Sequence, residues 1–279
     1  MKNVAGKRVL ITGGAMGMGR IYARIAVEEG AAAVILWDLD EGALEKTAQE
    51  LRQMGGTVHD YAVDVSDKEL VTSVAEQVLA QVGVPHVVIN NAGIVRGNDY
   101  FWETPADLVD AELTMRINSL APMYVTRAFL PAMIDQGEEA RLVNVASAAG
   151  FTANPRMSVY AASKWAAIGF SDSVRLELEQ AGIDHVRITT VAPYYIKTGM
   201  FEGARSAPLL PLLEPEDVCA KVWKAMRKGK PMLVLPKGVL LGETMKGILP
   251  LPARDLIAGR LIGVHRTMED FTGRPAQDD

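Results

Sequence analysis

Cysteine is nearly absent from this 279-residue chain: Cys219 stands alone, so no intrachain disulfide can form, and a reducing, cytoplasmic setting is expected. The expected role of Cys219 is packing on a helix. Histidine is also scarce. His59, His86, His185 and His265 lie far apart without metal-ligand spacing, which leaves them structural or surface roles and no metal site. Clustered Lys and Arg are missing and the formal net charge is −5, so there is no electrostatic footprint for nucleic acid. No apolar run approaches the roughly 20 residues needed to span a bilayer. The N-terminal stretch Met1 to Arg8 runs directly into an apolar segment, without the pattern of a signal peptide. Repeats, low-complexity tracts and linker-like Ser/Gly stretches are lacking too, so a single domain over 1–279 is expected.

What is present begins with glycine. Arg8 to Ile11 reads as a short buried strand, followed by Thr12-Gly13-Gly14-Ala15-Met16-Gly17-Met18-Gly19 and a helical pattern that stops at Gly30. Strand, glycine loop and helix in that order form the context of a dinucleotide fingerprint. Glycines let backbone N–H groups approach a pyrophosphate, and the helix N-terminus adds a favourable dipole. The spacing is Gly-x-x-x-Gly-x-Gly rather than the commoner Gly-x-Gly-x-x-Gly. The apolar run Ala33 to Trp37 then ends in Asp38, at the distance expected of a ribose-binding acid. A carboxylate accepts hydrogen bonds from ribose hydroxyls and repels a 2′-phosphate. Position 14 carries no basic residue to offset that repulsion, and Arg20 is expected on the helix surface, so the expected cofactor is NAD rather than NADP.

Strand and helix patterns alternate along most of the chain, which argues for a mostly parallel, doubly wound α/β sheet with helices on both faces. Strands are expected near 8–12, 33–38, 57–63, 86–90, 141–146, 186–191 and 231–235. Helices are expected near 18–29, 41–54, 67–82, 105–132, 158–181 and 215–229. The third strand leads into Asp64-Val65, which suits both an adenine contact and a plain strand terminus. The fourth ends in Asn90-Asn91-Ala92-Gly93, a buried polar turn. From about 237 onward the alternation fails, leaving a C-terminal extension over 237–279 with Pro250, Pro252 and apolar residues broken by charge.

The chemistry-bearing pair is Tyr160 and Lys164, with Ser147 thirteen residues upstream. Four-residue spacing puts phenol and ammonium on one helix face, one turn apart. An ammonium beside a phenol favours the phenolate, lowering a pKa that is about 10 when unperturbed. With the Ser147 hydroxyl holding a substrate oxygen, this is an acid–base site for alcohol and carbonyl chemistry.

Taken in order and at their spacing, Thr12 to Gly19, Asp64, Asn90 to Gly93, Asn118, Ser147 and Tyr160-Ala-Ala-Ser-Lys164 resemble the short-chain dehydrogenase/reductase family across residues 6 to about 235. The resemblance implies a Rossmann-type sheet of seven strands and a dimer or tetramer. It implies Tyr160 as general acid/base, Ser147 polarising the substrate oxygen, Lys164 on the nicotinamide ribose and Asn118 holding a relay water. It also implies cofactor contacts from Gly13, Ala15, Met16, Gly17, Met18, Gly19, Asp38, Asp64, Val65, Asn91, Ala92, Gly93, Tyr160, Lys164 and Pro193. Thr198 and the Ile196 backbone fit the positions that hold the carboxamide.

Most members have glycine after Pro193, where this chain has Tyr194. That departure, with Thr198-Gly-Met-Phe201, Ile35-Leu-Trp-Asp38 and the ending Met268 to Arg274, resembles a subgroup of retinol dehydrogenases and 17β-hydroxysteroid dehydrogenase-like enzymes. Members of that subgroup often carry a membrane anchor, for which this sequence offers no apolar run.

The expected activity is therefore NAD-dependent interconversion of an alcohol and a ketone or aldehyde on a small hydrophobic substrate. The alternative is an NAD-binding regulator without turnover; the retention of Asn118, Ser147, Tyr160 and Lys164 together argues against it. Substrate contacts are expected from Ser147, Ala149, Met157, Tyr160 and Tyr194, with Ile94 and Phe201 near the reacting carbon and Asn154 and Arg156 further out. Residues 199–213, rich in Leu and Pro, are expected to form a lid hinged at Gly199 and Gly203. Excess apolar residues on 105–132 and 158–181 point to a homodimer or homotetramer. The extension is expected to contact another subunit in preference to a lipid surface.

Overall fold

The computed structural model describes all residues except 206, 208, 209, 258–262, 264, 265, 269 and 273–279, and the side chain of 245. Seven strands, β1 (Arg8–Thr12), β2 (Ala33–Asp38), β3 (Val58–Ala62), β4 (Val87–Asn90), β5 (Ala140–Val145), β6 (Val186–Pro193) and β7 (Met232–Leu235), form one parallel sheet. Their order is β3-β2-β1-β4-β5-β6-β7. Parallel neighbours need crossovers, and helices supply them: α1 (Gly17–Glu28), α2 (Glu41–Gln53), α3 (Lys68–Gln81), α4 (Val109–Met115), α5 (Ala121–Asp135), α6 (Ser158–Gln180) and α7 (Pro215–Arg227).

Alternation along each strand feeds two cores. Val9, Ile11, Val34 and Leu36 pack under α1, α2 and α7, with Tyr22, Leu44 and Trp223. Leu10, Ile35 and Trp37 point the other way, into α3, α5 and α6, with Val71, Phe129 and Leu178. Strands buried on both faces must be apolar throughout, which explains why Ala33 to Trp37 shows no polar alternation.

Three elements depart from the sequence pattern. The stretch expected as one helix over 105–132 is α4, a wider π turn at Arg116–Leu120 and then α5. The Ala121 N–H bonds the Arg116 carbonyl five residues back, and Pro122, which follows, has no N–H to donate. Strand β6 runs on to Pro193, because Ala192 and Pro193 still pair with Val234 and Leu235. The extension is not irregular throughout: α8 (Gly238–Lys246) and α9 (Leu251–Asp255) lie within it. None of the described helices is long and apolar enough to cross a membrane.

Strand order reverses between β1 and β4, so the loops after them diverge and open a crevice at the carboxyl ends of the strands.

Candidate active site

The crevice holds a cleft of about 530 Å³. At one end lies the glycine loop. Its Thr12 hydroxyl accepts the backbone N–H groups of Asn91 (3.0 Å) and Ala92 (3.1 Å), and the Asn91 amide donates back to the carbonyls of Thr12 and Gly13, both at 3.0 Å. These bonds lock the loops after β1 and β4 together. Close approach explains the glycines: a Cβ at Gly19 would lie 1.9 Å from the Gly13 carbonyl oxygen, and one at Gly13 would lie 3.0 Å from the Ala92 Cα. Helix α1 begins without a side-chain cap, whereas α2 and α3 are capped by Asp40 and Asp67. Met16, Gly17 and Met18, around that α1 terminus, border the cleft, as do Gly13, Asp38, Asp64, Val65, Asn91, Ala92 and Gly93.

Asp38 is held from both sides. One oxygen accepts the Ala15 N–H at 2.9 Å and the other the Asp40 N–H at 3.2 Å. Asp64 accepts the Ser66 N–H at 2.8 Å. An uncapped helix start, a glycine cradle and a fixed carboxylate on one wall fit a dinucleotide: anion at the helix, ribose at Asp38. Gly93 extends the cradle, since a Cβ there would come within 3.2 Å of Asn118 Oδ1 and 3.4 Å of Lys164 Nζ.

The other end of the cleft carries the acid–base group. Ser147, Tyr160, Lys164, Pro193, Tyr194, Ile196 and Thr198 all border it, together with Ile94, Met200 and Phe201. Ser147 follows β5, and its Oγ accepts the Ala149 N–H at 3.1 Å. Tyr160 and Lys164 lie on the buried face of α6, with Lys164 Nζ 5.7 Å from the Tyr160 ring centroid and donating to the Val145 carbonyl at 3.2 Å. Asn118, buried in the π turn, exchanges two 2.9 Å bonds with the backbone of Ile94 and donates to Ser163 Oγ at 3.1 Å.

Burial reverses one expectation. The Tyr160 phenol is pushed up from its ordinary 10.0, chiefly by desolvation, with the Ser147 hydroxyl pulling it back and Tyr195 raising it further. Lys164 is lowered to about 8, also by burial. An ammonium nine-tenths or more enclosed in protein is itself destabilised, so the low-pKa phenol expected from Tyr-x-x-x-Lys spacing alone does not result.

Seven of the candidate site residues singled out from sequence do not border the cleft. Ala15 and Gly19 pack behind the glycine loop, and Asn118 behind Gly93 and Lys164. Met157 is buried against the Tyr195 hydroxyl, its Sδ 3.7 Å away, and Ala149 packs on the same cluster. Asn154 is likewise off the wall. Arg156 lines a second cavity of about 420 Å³ next to the cleft, and Arg96 borders both. Residues the sequence did not single out also line the wall: Leu39, Val63, Ile117, Val145 and Ala146. They carry no motif, and only strand register brings Val145 and Ala146 beneath Lys164. Cys219 packs on α7, fully buried, and burial pushes its thiol up to about 12.

A glycine cradle, a ribose-type carboxylate and a buried Tyr–Lys–Ser group along one cleft define a nucleotide-dependent oxidoreductase. The family profile described as short chain dehydrogenase matches residues 7–208. Mouse epidermal retinol dehydrogenase 2 is 40% identical over 98% of this chain and 87% of its own length. Human estradiol 17-beta-dehydrogenase 11 is 35% identical over 89% of this chain and 81% of its own. The crystal structure of a short chain dehydrogenase/reductase from Burkholderia phymatum in complex with NAD superposes with a TM-score of 0.80. It is 27% identical and covers 89% of this chain and 95% of its own. The chain belongs to the short-chain dehydrogenase family. It is an oxidoreductase of the dehydrogenase class, acting on CH–OH donors and the corresponding carbonyl compounds.

Proposed function

We propose that this enzyme acts on a hydrophobic alcohol or its ketone or aldehyde, with Tyr160 as the proton carrier. The observation that carries the reading is that Tyr160, Ser147 and Lys164 border the same cleft as the glycine loop and Asp38. NAD, when bound, supplies the hydride acceptor or, reduced, the donor. The residues assigned to it are Gly13, Met16 to Gly19, Asp38, Asp64, Val65, Asn91 to Gly93, Lys164, Pro193, the Ile196 backbone and Thr198, with Ala15 acting through Asp38.

In the oxidation direction Tyr160 takes the substrate hydroxyl proton, and in the reduction direction it donates one to the carbonyl oxygen. Ser147 holds that oxygen in place. Lys164 lies beside the phenol, and Asn118 is assigned the water that passes protons between Lys164 and solvent. Tyr194, Ile94, Met200 and Phe201 supply the hydrophobic wall that selects the substrate, and the described residues of 199–213 form its cover. The mammalian relatives' names, retinol and estradiol dehydrogenases, support a lipophilic alcohol. Leu120, Trp165 and Leu176, all exposed on the π turn and α6, support a homodimer or a dimer of dimers. The free, buried Cys219 thiol supports a cytoplasmic setting.

The test is NADH formation across a graded panel of primary and secondary alcohols, repeated with NADP. Turnover should rise with hydrophobic chain length. NAD should exceed NADP in kcat/KM by about tenfold or more, because like-charge contact of a 2′-phosphate with Asp38 costs at least about 1.4 kcal/mol. NAD binding without turnover on any alcohol or carbonyl would favour the regulatory reading instead.

A further inference from the structure

The described residues of the C-terminal segment 266–272 return to the catalytic face and are built into it. Thr267 and Met268 are only 2% and 1% exposed, as enclosed as the sheet core. Hydrogen bonds tie this strap to four separate stretches of chain. Asn98, after β4, donates to the carbonyls of Met268 (3.2 Å) and Phe271 (3.3 Å). Asn154, before α6, donates to Thr267 Oγ1 and to the Tyr195 hydroxyl, both at 3.0 Å, and those two oxygens are 3.1 Å apart. Within the cover segment, Arg205 N–H donates to the Thr267 carbonyl at 2.9 Å, and Thr272 N–H donates to the Glu202 carbonyl at 3.0 Å. Arg205 also pairs with Asp270. Gly203, at φ +79°, leaves no space between cover and strap: a Cβ there would lie 2.1 Å from the Asp270 carbonyl oxygen.

The apolar contacts lead to the catalytic tyrosine. Met268 shares one hydrophobic cluster with Tyr160, Tyr194 and Tyr195. The Phe271 ring lies 6.5 Å from Phe201, and Phe201 meets Tyr160 edge-on at 6.1 Å. Phe201 borders the cleft, whereas Met268 and Phe271 do not. They stand behind it: the Phe271 ring faces Phe201, and Met268 belongs to the cluster that holds Tyr194 and Tyr195.

We propose that the strap is a specificity element, with Met268 and Phe271 as positioning residues that hold Phe201 against the substrate end of the cleft. Resting on the alcohol reading above, this makes the C-terminus the determinant of how long a hydrophobic alcohol the enzyme accepts. Phe201 sits on a turn between Gly199 and Gly203, both at the positive φ that glycine adopts without strain. The ring packs on Tyr195 at 5.0 Å and on Tyr160 at 6.1 Å, and Phe271 covers it at 6.5 Å; without Phe271 that cover is lost, and the wall facing the far end of the substrate loosens.

The test compares the parent enzyme with Phe271→Ala, Phe271→Leu and Met268→Ala over alcohols of increasing length. Phe271→Ala should raise KM for the longest good substrates by about fivefold or more while kcat for short alcohols stays within about twofold. Phe271→Leu should recover most of the loss, and NADH affinity measured by fluorescence should not move. Independently of turnover, Gly203→Ala, which collides with the Asp270 carbonyl, should speed hydrogen exchange in the peptide covering 200–205 by about tenfold or more. A loss uniform across chain lengths, or an unchanged length profile in both alanine variants, overturns the proposal. So does unaltered exchange in Gly203→Ala. If the parent binds NADH but turns over no alcohol, the substrate reading fails, and the exchange experiment still decides whether the strap holds the cover.

Discussion

At the residue scale, Lys164 and Tyr160 pull pH dependence in opposite directions, and the sign of each follows from burial. Lys164 titrates near 8 when folded against 10.5 when unfolded, so between those values the unfolded chain binds more protons and stability rises with pH. Below 8 the enclosed ammonium costs stability, on the order of 3 kcal/mol at about 1.4 kcal/mol per pKa unit. Lys164→Met should therefore stabilise the protein at pH 7 by about 2 kcal/mol, after about 1 kcal/mol is deducted for the lost bond to the Val145 carbonyl. The gain should fade as pH is raised from 8 toward 10, and chemical denaturation at the two ends of that range checks it. Tyr160, shifted upward, contributes a constant amount below 10 and does not blur this window. Its consequence appears in the reaction: alcohol oxidation needs the deprotonated phenol and should rise with pH, while carbonyl reduction should fall. Tyr160→Phe should lower kcat by about 10² to 10⁴ while leaving NADH binding near its parent value, as stopped-flow or fluorescence titration would show. Substantial turnover in that variant would remove Tyr160 as proton carrier.

At the scale of elements, local pattern was a good guide wherever an element's own residues decide it. Ala33 to Asp38 was legible because a strand buried on both faces has to be continuously apolar and a carboxylate ends it at the crevice. Helix α6 was legible from Ser158 onward because Tyr160, Lys164, Ala167 and Ser171 repeat on one buried face. The π turn was not, since apolar periodicity over 105–132 is insensitive to one wide turn, yet that turn is what seats Asn118 against Ile94 and Ser163. The cover segment had neither period, and its fold comes from bridges to distant chain: Leu213 pairs beside Ile196, and Leu210 lies 3.4 Å from where a Gly238 Cβ would stand. Its Leu209, with Ser206 and Pro208, lies outside the described residues. Leu210→Ser with Leu212→Ser should cut kcat/KM for long alcohols by about tenfold and for short ones by less than about twofold, since each buried methylene contributes about 0.8 kcal/mol. A loss equal at every length would separate this segment from the substrate.

For the whole molecule, self-association is argued from the outer surface of the π turn and α6. Leu120, Trp165 and Leu176 remain 37%, 51% and 51% exposed, although Lys246 of α8 stands 4.8 Å over the Trp165 ring. Isolated exposed apolar residues are ordinary, but three on neighbouring elements suit a two-fold contact. Light scattering at micromolar concentration should give a dimer or tetramer, and Leu176→Glu should shift it toward monomer with NADH binding retained. A strictly monomeric parent would remove the contact. Part of the C-terminal extension folds onto its own catalytic face through Thr267, Met268 and Phe271.

Sequence alone determined the chemistry of this protein, because its signals are short-range. One helical turn separates Tyr160 from Lys164, a tight loop joins Gly13 to Gly19, and a single strand delivers Asp38, so residue spacing carries the geometry. Tertiary structure decided what depends on the sum of many distant contacts. Burial from every side raised Tyr160 and lowered Lys164, against the pairwise expectation from their spacing. Packing put Met157 and Ala149 behind the wall that Tyr194 and Phe201 form. The strap's contacts span more than 170 residues from Asn98 to Phe271, a separation across which no local pattern reports which surfaces will meet.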